Sequence, residues 1–336
     1  MTDNNFVKMV KGLNRKVFKV EEKLALMIES ARENNERALA KLISHVEDRK
    51  PGWKDIMKTI YAETGRTCVI GITGSPGAGK SSLVGEFAKR LGDKGYNIGI
   101  IAVDPSSPFS GGAVLGDRIR MRDISTYQNI FIRSMATRGM LGGLCQAARD
   151  VVRIMGFAGR DIVIIETVGV GQGEIEVVSA SDYVVLVTYP GGGDSVQAIK
   201  AGVMEIADLF VVNKADLPGA DQVVADIEAM LDLCSTADRA RPPVLKATAT
   251  QNTGIRDLVA AVRSMLARPC DEDSRQKIRV KEELVRLLAA EVARLVHDKW
   301  NRDGSLSSAV EDVLSLKNDP YSIVQEVLAP VACHLK

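Results

Sequence analysis

The amino-acid sequence predicts an α/β fold with a doubly wound, mostly parallel sheet and with helical extensions at both ends of the chain. Between residues 64 and 268, short runs rich in β-branched residues alternate with amphipathic segments. Such alternation is typical of a parallel sheet covered by helices on both faces. Residues 1–63 and 269–336 carry helical patterns without such runs. We therefore expect an N-terminal helical extension (1–63), a central domain (64–268) and a C-terminal helical arm (269–336).

The N-terminal extension is predicted to contain two amphipathic helices. One buried helix face, with the spacing i, i+3, i+4, i+7, is formed by Leu39, Leu42, Ile43 and Val46. An earlier helix is suggested by Leu24, Met27 and Ile28. Pro51-Gly52 ends this run, because proline and glycine break helices.

The central domain contains seven short apolar runs that we predict as strands. They are Cys68–Thr73, Ile98–Val103, Ile130–Arg133, Ile162–Glu166, Tyr183–Thr188, Leu209–Asn213 and Val244–Lys246. Several are apolar at nearly every position, as strands covered on both faces must be. Helices are predicted between most of them, for example over Ser81–Leu91, Leu144–Met155 and Gln222–Leu233.

The C-terminal arm is predicted to begin with one long helix over Ser274–Trp300. Asn318-Asp319-Pro320 is a breaker, and Asp319 could cap a last helix over Tyr321–Leu328. The long helix carries an apolar stripe of Leu284, Leu287, Leu288, Val292 and Leu295. This stripe belongs either to an intramolecular core or to an arm that pairs with a second subunit.

Composition and charge exclude several classes of protein. Of 336 residues, 46% are hydrophobic and 26% are charged, which excludes a disordered chain, a collagen and a disulfide-rich secreted module. The formal net charge is +1, so no overall basic field would attract nucleic acid or an anionic membrane. We expect neither as a partner.

The five cysteines are scattered and include no Cys-x-x-Cys pair. This favours a reducing compartment and argues against a cysteine-based zinc or nickel site. The first residues lack the apolar segment of a signal peptide, and no stretch approaches the ~18 apolar residues of a membrane span. We therefore expect a cytoplasmic protein.

A phosphate-binding motif, GxxxxGK[ST], lies between the first predicted strand and the helix that follows it. Its glycines would let backbone N–H groups surround a phosphate at a helix N-terminus. Lys80 would supply charge at the β- and γ-phosphates, and the Ser81 hydroxyl could ligate Mg²⁺. The predicted phosphate-binding residues are Gly74, Ser75, Pro76, Gly77, Ala78, Gly79, Lys80, Ser81 and Ser82.

Glu166 ends a later apolar strand, and Gly169 follows three residues on. The carboxylate is placed to act on Mg²⁺ or its water, and the Gly169 N–H to sense a γ-phosphate. Val170, the next residue, has no polar group able to orient water. We therefore expect slow hydrolysis by the protein alone, gated by a partner or by a loop rearrangement.

A guanine-recognition motif, Asn213-Lys-Ala-Asp216, lies at the end of another strand. Asp216 would accept hydrogen bonds from N1–H and the exocyclic amine of guanine, which adenine does not present. The Lys214 stem can cover the purine face, and Asn213 can brace the loop. Thr248-Ala249-Thr250 could place a backbone N–H on guanine O6. Together the motifs predict a P-loop NTPase G-domain that binds GTP and GDP.

A segment rich in Gly, Ser and Pro follows the second strand directly. A loop of this composition is mobile unless a ligand orders it. Asp104 and Asp117 within it are candidate switch residues linked to Mg²⁺. The alternative for both side chains is ordinary turn chemistry.

With these residues in hand, the chain resembles the methylmalonyl-CoA mutase-associated GTPases, the MeaB/ArgK/MMAA-type proteins. The likeness covers essentially the whole chain. It rests on the segments GITGSPGAGKSS, VDPSSPFSGGAVLGDRIRM, ETVGVGQGE, PGGGDSVQAIKAG, ADLFVVNKADLPGA and DPYS.

The resemblance implies a GTP-hydrolysing chaperone for a cobalamin-dependent acyl-CoA mutase, most commonly methylmalonyl-CoA mutase. Such a chaperone gates the loading of adenosylcobalamin and protects the mutase, without holding cobalamin permanently. The resemblance also implies a homodimer formed through the C-terminal arm. The Mg²⁺ and switch residues it implies are Ser81, Asp104, Asp117 and Glu166, and the catalytic group comprises Lys80, Asp104, Glu166 and Gly169.

A further loop, Gly191 to Gly202, would couple the nucleotide to the mutase in proteins of this kind. The residues of this chain that stand at its functional positions are Asp194, Gln197 and Lys200. The pair Ser195-Val196 replaces the commoner acidic–apolar pair.

Three other functions stay open at this point. A nickel-insertion GTPase uses a related domain but needs Cys/His clusters, which this chain lacks at ligand spacing. A P-loop kinase acting on an amino-acid transport protein is suggested by the older name ArgK. A binding switch with negligible hydrolysis is compatible with Val170.

Overall fold

A seven-stranded sheet organises the central part of the chain. The computed structural model describes residues 22–64, 67–104, 124, 126–136, 143–167, 180–191, 207–234, 241–267 and 272–333. The strands are β1 (Cys68–Gly74), β2 (Ile98–Asp104), β3 (Ile130–Ala136), β4 (Ile162–Thr167), β5 (Tyr183–Thr188), β6 (Leu209–Val212) and β7 (Val244–Lys246). These are the seven predicted strands.

The strand order is β3-β2-β4-β1-β5-β6-β7, and every pairing among these strands is parallel. Strand β3 ends the sheet on one side of β1, and β7 ends it on the other side. The chain therefore winds in two directions from β1, and the sheet is doubly wound. Ligands of such sheets bind outside the carboxyl ends of the strands, where the winding direction reverses. The fold therefore directs attention to the carboxyl ends of β1, β4, β5 and β6.

Helices cover both faces of the sheet, because successive residues of each inner strand alternate between apolar clusters on opposite faces. In β4, Ile162 and Ile164 pack in one cluster, whereas Val163 and Ile165 pack in the other. The central helices are α4 (Lys80–Gly92), α5 (Gly143–Phe157), α6 (Ala220–Cys234) and α7 (Ile255–Ala267). Helices α4 and α7 share the first cluster with β1, and α5 contributes to the second.

The N-terminal helices complete the second cluster. Residues 22–32 (α1) are helical, followed by α2 (Glu36–Glu47) and α3 (Trp53–Glu63). The predicted face of α2 is confirmed, since its buried residues are Leu39, Leu42, Ile43 and Val46. The Asn35 side chain caps α2 by accepting from the N–H groups of Arg37 and Ala38.

Two ion pairs attach this helical region to the central domain, one to a strand and one to a helix. Arg133 on β3 donates to Glu47, and Arg49 lies 3.0 Å from Asp150 of α5. The Arg49 guanidinium also lies 3.9 Å from the centre of the Trp53 ring. The N-terminal helices thus share their core and their polar contacts with the domain that follows.

The chain divides into two compact units, Met1–Arg268 and Pro269–Lys336. The second contains α8 (Glu272–Arg302), α9 (Ser305–Leu314) and α10 (Pro320–Cys333). The predicted first and last helices are present, and α9 is an element that the sequence did not predict. The separate boundary at residue 63 stays a prediction.

Asp319 caps α10, as its position before Pro320 predicts. Its carboxylate accepts from the N–H groups of Tyr321 and Ser322 and from the Ser322 hydroxyl. The Ser322 hydroxyl bond, more than any other contact, holds the pKa of Asp319 below its usual range. None of the helices in the described ranges is both long and apolar enough to cross a membrane.

Candidate functional site

The phosphate loop joins β1 to α4 at the carboxyl edge of the sheet. Gly74 has a φ of 136°, and a Cβ built on it would lie 1.9 Å from the Val187 carbonyl oxygen of β5. The same carbonyl accepts from the Ser75 N–H at 3.2 Å. Gly77 and Gly79 also have positive φ values. The glycine pattern is therefore required by close backbone approach and by left-handed turns.

Lys80 lies against this loop and is only 5% exposed. Its ammonium donates to the carbonyl oxygens of Gly74 at 2.9 Å and Ser75 at 3.0 Å. Because Lys80 is the first residue of α4, its charge and the N-terminal end of the helix dipole act at the same place. This combination favours an anion such as a phosphate. Pro76 is exposed at the loop tip, and Ser82 belongs to the first turn of α4.

Ser81 and Glu166 bring two oxygen donors together beside the loop. The Ser81 hydroxyl donates to a Glu166 carboxylate oxygen at 2.6 Å, and Glu166 is 3% exposed. The register Ile72↔Glu166 places Glu166 beside the end of β1. A hydroxyl and a carboxylate suit Mg²⁺, which commonly takes few protein ligands together with phosphate and water oxygens. These two predicted ligands therefore fit the metal.

No group of three or more His, Cys, Asp or Glu side chains in the described part of the chain could hold a metal ion. The Ser81–Glu166 pair agrees with this finding, because a magnesium–nucleotide site does not need such a cluster.

Asn213 connects the phosphate loop to the two predicted guanine loops. Its amide N–H donates to the Ala78 carbonyl at 2.7 Å, and its amide oxygen accepts from the Ala249 N–H at 3.1 Å. The residue is 2% exposed at the end of β6. It therefore braces three loops, which is the geometric part of the role predicted for it.

The other predicted guanine residues lie at the same edge. Lys214 has a φ of 55°, and Asp216 is exposed two residues later. The Ala215 N–H donates to Ala247 at 3.0 Å, which attaches this loop to the segment after β7. Thr248 pairs with Thr253, and Ala249, Thr250 and Gln251 form a short 3₁₀ turn. Their contacts with a base stay predictions.

Several predicted residues lie outside the described part of the chain. They are Asp117, Gly169, Asp194, Gln197 and Lys200. Asp104 is described only as the last backbone position of β2, where it is paired with Ala136. The switch and partner-coupling roles of all these residues therefore stay predictions.

Tyr189 is a residue of this site that the sequence did not predict. It follows β5 directly, and the Lys214 ammonium lies 4.5 Å from the centre of its ring. The position of an aromatic residue just after a buried strand, at the edge where the nucleotide motifs meet, is the only signal in the sequence. That signal is weak without the fold.

Comparison with known proteins agrees with this geometry. The family model described as methylmalonyl-CoA mutase-associated GTPase MeaB matches residues 39–303. A Pyrococcus abyssi relative, named only as a GTPase, is 43% identical over 311 residues, which cover 91% of this chain and 96% of the relative. The GTPase ArgK of Escherichia coli is 38% identical over 250 residues, covering 72% of this chain and 76% of ArgK.

A solved structure described as a LAO/AO transport system kinase is similar over 93% of this chain and 98% of its own, with a TM-score of 0.68 and 27% identity. The family model covers well over half of the chain, and the P. abyssi relative matches nearly all of it. This chain is therefore a member of the family of methylmalonyl-CoA mutase-associated GTPases, MeaB.

Proposed function

We propose that this protein binds GTP and GDP with Mg²⁺, hydrolyses GTP, and acts as a chaperone for an adenosylcobalamin-dependent acyl-CoA mutase. In this role it would gate cobalamin loading and protect the mutase, with methylmalonyl-CoA mutase as the first partner to test. The observation that carries the proposal is the joining, by Asn213, of the phosphate loop to the Asn213–Asp216 loop. The family description supports the partner.

Among the described residues, one group would bind the phosphates and another would bind the base. Lys80 would move its hydrogen bonds from the Gly74 and Ser75 carbonyls to β- and γ-phosphate oxygens. Ser81 and Glu166 would hold Mg²⁺, which when bound neutralises charge on those phosphates. Asp216 would accept from guanine, while Asn213 keeps the two loops in one arrangement.

Hydrolysis adds water to the γ-phosphorus and breaks its bond to the bridging oxygen, releasing GDP and inorganic phosphate. Preorganised charge at the phosphates lowers the barrier, because the protein forms no covalent bond in this reaction. Lys80 supplies that charge, but Val170 after Gly169 supplies no water-orienting group. We therefore propose slow turnover alone and faster turnover with the partner.

The test is GTP hydrolysis by the pure protein, with and without a purified adenosylcobalamin-dependent acyl-CoA mutase. We expect slow release of phosphate that the mutase accelerates. Lys80→Ala should lower the rate by at least about 100-fold, given the size of preorganised charge effects in active sites. Lys94→Ala, an exposed lysine just beyond the other end of α4, is the matched control.

The outcomes separate the two parts of the proposal. Unchanged hydrolysis by Lys80→Ala would contradict the nucleotide site. Hydrolysis that depends on Lys80 but ignores every cobalamin-dependent mutase would leave the GTPase intact and remove the chaperone role. The similar solved structure is described as a transport system kinase, and transfer of labelled phosphate from GTP to a protein acceptor would support a kinase activity here.

A further inference from the structure

Tyr189 occupies a junction between the two halves of the nucleotide site. It directly follows β5, whose neighbours in the sheet are β1 and β6. Strand β1 leads into the phosphate loop, and β6 leads into the Asn213–Asp216 loop. In a parallel sheet the carboxyl ends of adjacent strands share one edge. A side chain at position 189 is therefore within reach of both loops.

The contacts of Tyr189 show that it reaches both. The Lys214 ammonium lies 4.5 Å from the ring centre, within the distance of a cation–π interaction. A Cβ built on Gly77 would lie 3.6 Å from the tyrosine hydroxyl oxygen. Tyr189 therefore approaches the phosphate loop through its hydroxyl and the head of the guanine-loop lysine through its ring.

Lys214 needs such a restraint if its stem is to serve as a surface for a base. Its backbone is left-handed, with a φ of 55°, and the side chain is only half-buried. A lysine side chain has four rotatable bonds and loses considerable entropy when it is fixed. The stem passes Gly79, where a built Cβ would lie 3.9 Å from Lys214 Cε. The end of the stem thus lies beside the phosphate loop at Gly79, and its ammonium lies over the Tyr189 ring.

We propose that Tyr189 is a positioning residue of the nucleotide site, whose ring fixes the Lys214 head so that the lysine stem is preorganised to cover the purine of a guanine nucleotide. The inference rests on the proposed GTP-binding function. Preorganisation strengthens binding because the ordering cost is removed before the ligand arrives. The aromatic face, not the hydroxyl, is the part that acts.

The experiment measures GDP affinity by displacement of a fluorescent GDP analogue from the full chain. Tyr189→Leu removes the aromatic face and should weaken GDP roughly three- to tenfold, the range of a partly desolvated cation–π contact. Tyr189→Phe keeps the face and should stay within about twofold of the wild type. Thermal melting of each variant shows whether it is folded.

Lys214→Met separates positioning from packing, because Tyr189 also packs against the core cluster beneath it. In a Lys214→Met background, Tyr189→Leu should cost less than about twofold, since the partner of the ring is already gone. An equal loss in both backgrounds would make Tyr189 a packing residue and overturn the proposal. Wild-type affinity for Tyr189→Leu would overturn it as well.

Two further outcomes of the experiment also have a defined meaning. If Tyr189→Leu does not fold, Tyr189→Met supplies a long apolar side chain without an aromatic face, with the same expected loss. If the wild-type chain itself binds no GDP, the proposed GTP-binding function fails, and the inference about Tyr189 fails with it. Binding by the wild type with no effect of Tyr189 refutes the positioning role alone.

Discussion

Gly74 shows how the nucleotide site constrains a single backbone position. Any side chain there meets two costs, since the φ of 136° is unfavourable for L-residues and the Cβ would lie 1.9 Å from the Val187 carbonyl oxygen. We expect Gly74→Ala to lower the free energy of unfolding by more than about 3 kcal/mol. Denaturant unfolding measures this.

Gly95→Ala is the matched control for that change. Its φ is 89°, but within the described chain no heavy atom beyond its immediate neighbours lies within 4 Å of a built Cβ. It should cost only the conformational strain, about 1–2 kcal/mol. Equal losses for the two variants would show that β1 and β5 can separate at Gly74 without penalty.

We propose that base specificity depends on Asp216. Asp216→Asn replaces one of the two acceptor oxygens opposite guanine N1–H and the exocyclic amine by a donor, and should weaken GDP binding by about 1–3 kcal/mol. Xanthosine diphosphate, which carries an oxygen at position 2, should gain affinity. Nucleotide displacement measures both. Asp226→Asn, at an exposed position on α6, should change neither, and a variant of Asp216 with unaltered GDP affinity would contradict the base assignment.

At the scale of elements, α2 belongs to the sheet domain through its buried face. Leu42 is 0% exposed in the cluster that contains residues of β2 and β4. Leu42→Ala should lower the free energy of unfolding by about 2–5 kcal/mol, because it leaves a cavity in a packed core. Leu26→Ala, at a leucine of α1 that is 67% exposed, should change it by less than about 0.5 kcal/mol. A Leu42 variant as stable as the Leu26 variant would mean that α2 is only loosely attached.

The strands were predictable because consecutive residues in them are apolar, as strands buried on both faces of a sheet require. Ile162 to Ile165 are all apolar and all buried, and a run of this kind has few other stable environments. Helix α9 was not predicted, although Leu306, Val310, Val313 and Leu314 recur in it at helical spacing. It has only ten residues, which is shorter than the window of about 11–18 residues over which apolar periodicity identifies a helix.

Part of the site geometry was predictable as well. Motif spacing predicted that Lys80, Ser81 and Asn213 lie at one edge of the sheet, and the structure places them there, because each motif is local and its strand was recognised. Their roles toward a nucleotide stay predictions. The contact between Tyr189 and Lys214 joins residues that follow different strands, and it depends on the order β1-β5-β6. Sequence alone does not give that order, so this part of the site required the structure.

At the scale of the whole molecule, the C-terminal helices carry large apolar side chains at exposed positions. On α8, Leu284 is 62% exposed and Leu288 is 66% exposed. Apolar residues with this spacing form one stripe of a helix, and a stripe left in water favours association. From this stripe, and from the dimerisation that the resemblance in sequence implies, we propose that the chain is a homodimer.

The oligomeric prediction is tested by light scattering of the full chain. We expect a mass twice the 36.3 kDa of one chain, and half that value for the double variant Leu284→Glu/Leu288→Glu, because two buried carboxylates would face an apolar surface. Leu26→Glu introduces one such charge at a similarly exposed leucine of α1 and should leave the dimer intact. A wild-type mass of 36.3 kDa would exclude the homodimer, whereas a dimeric double variant would move the interface away from this stripe.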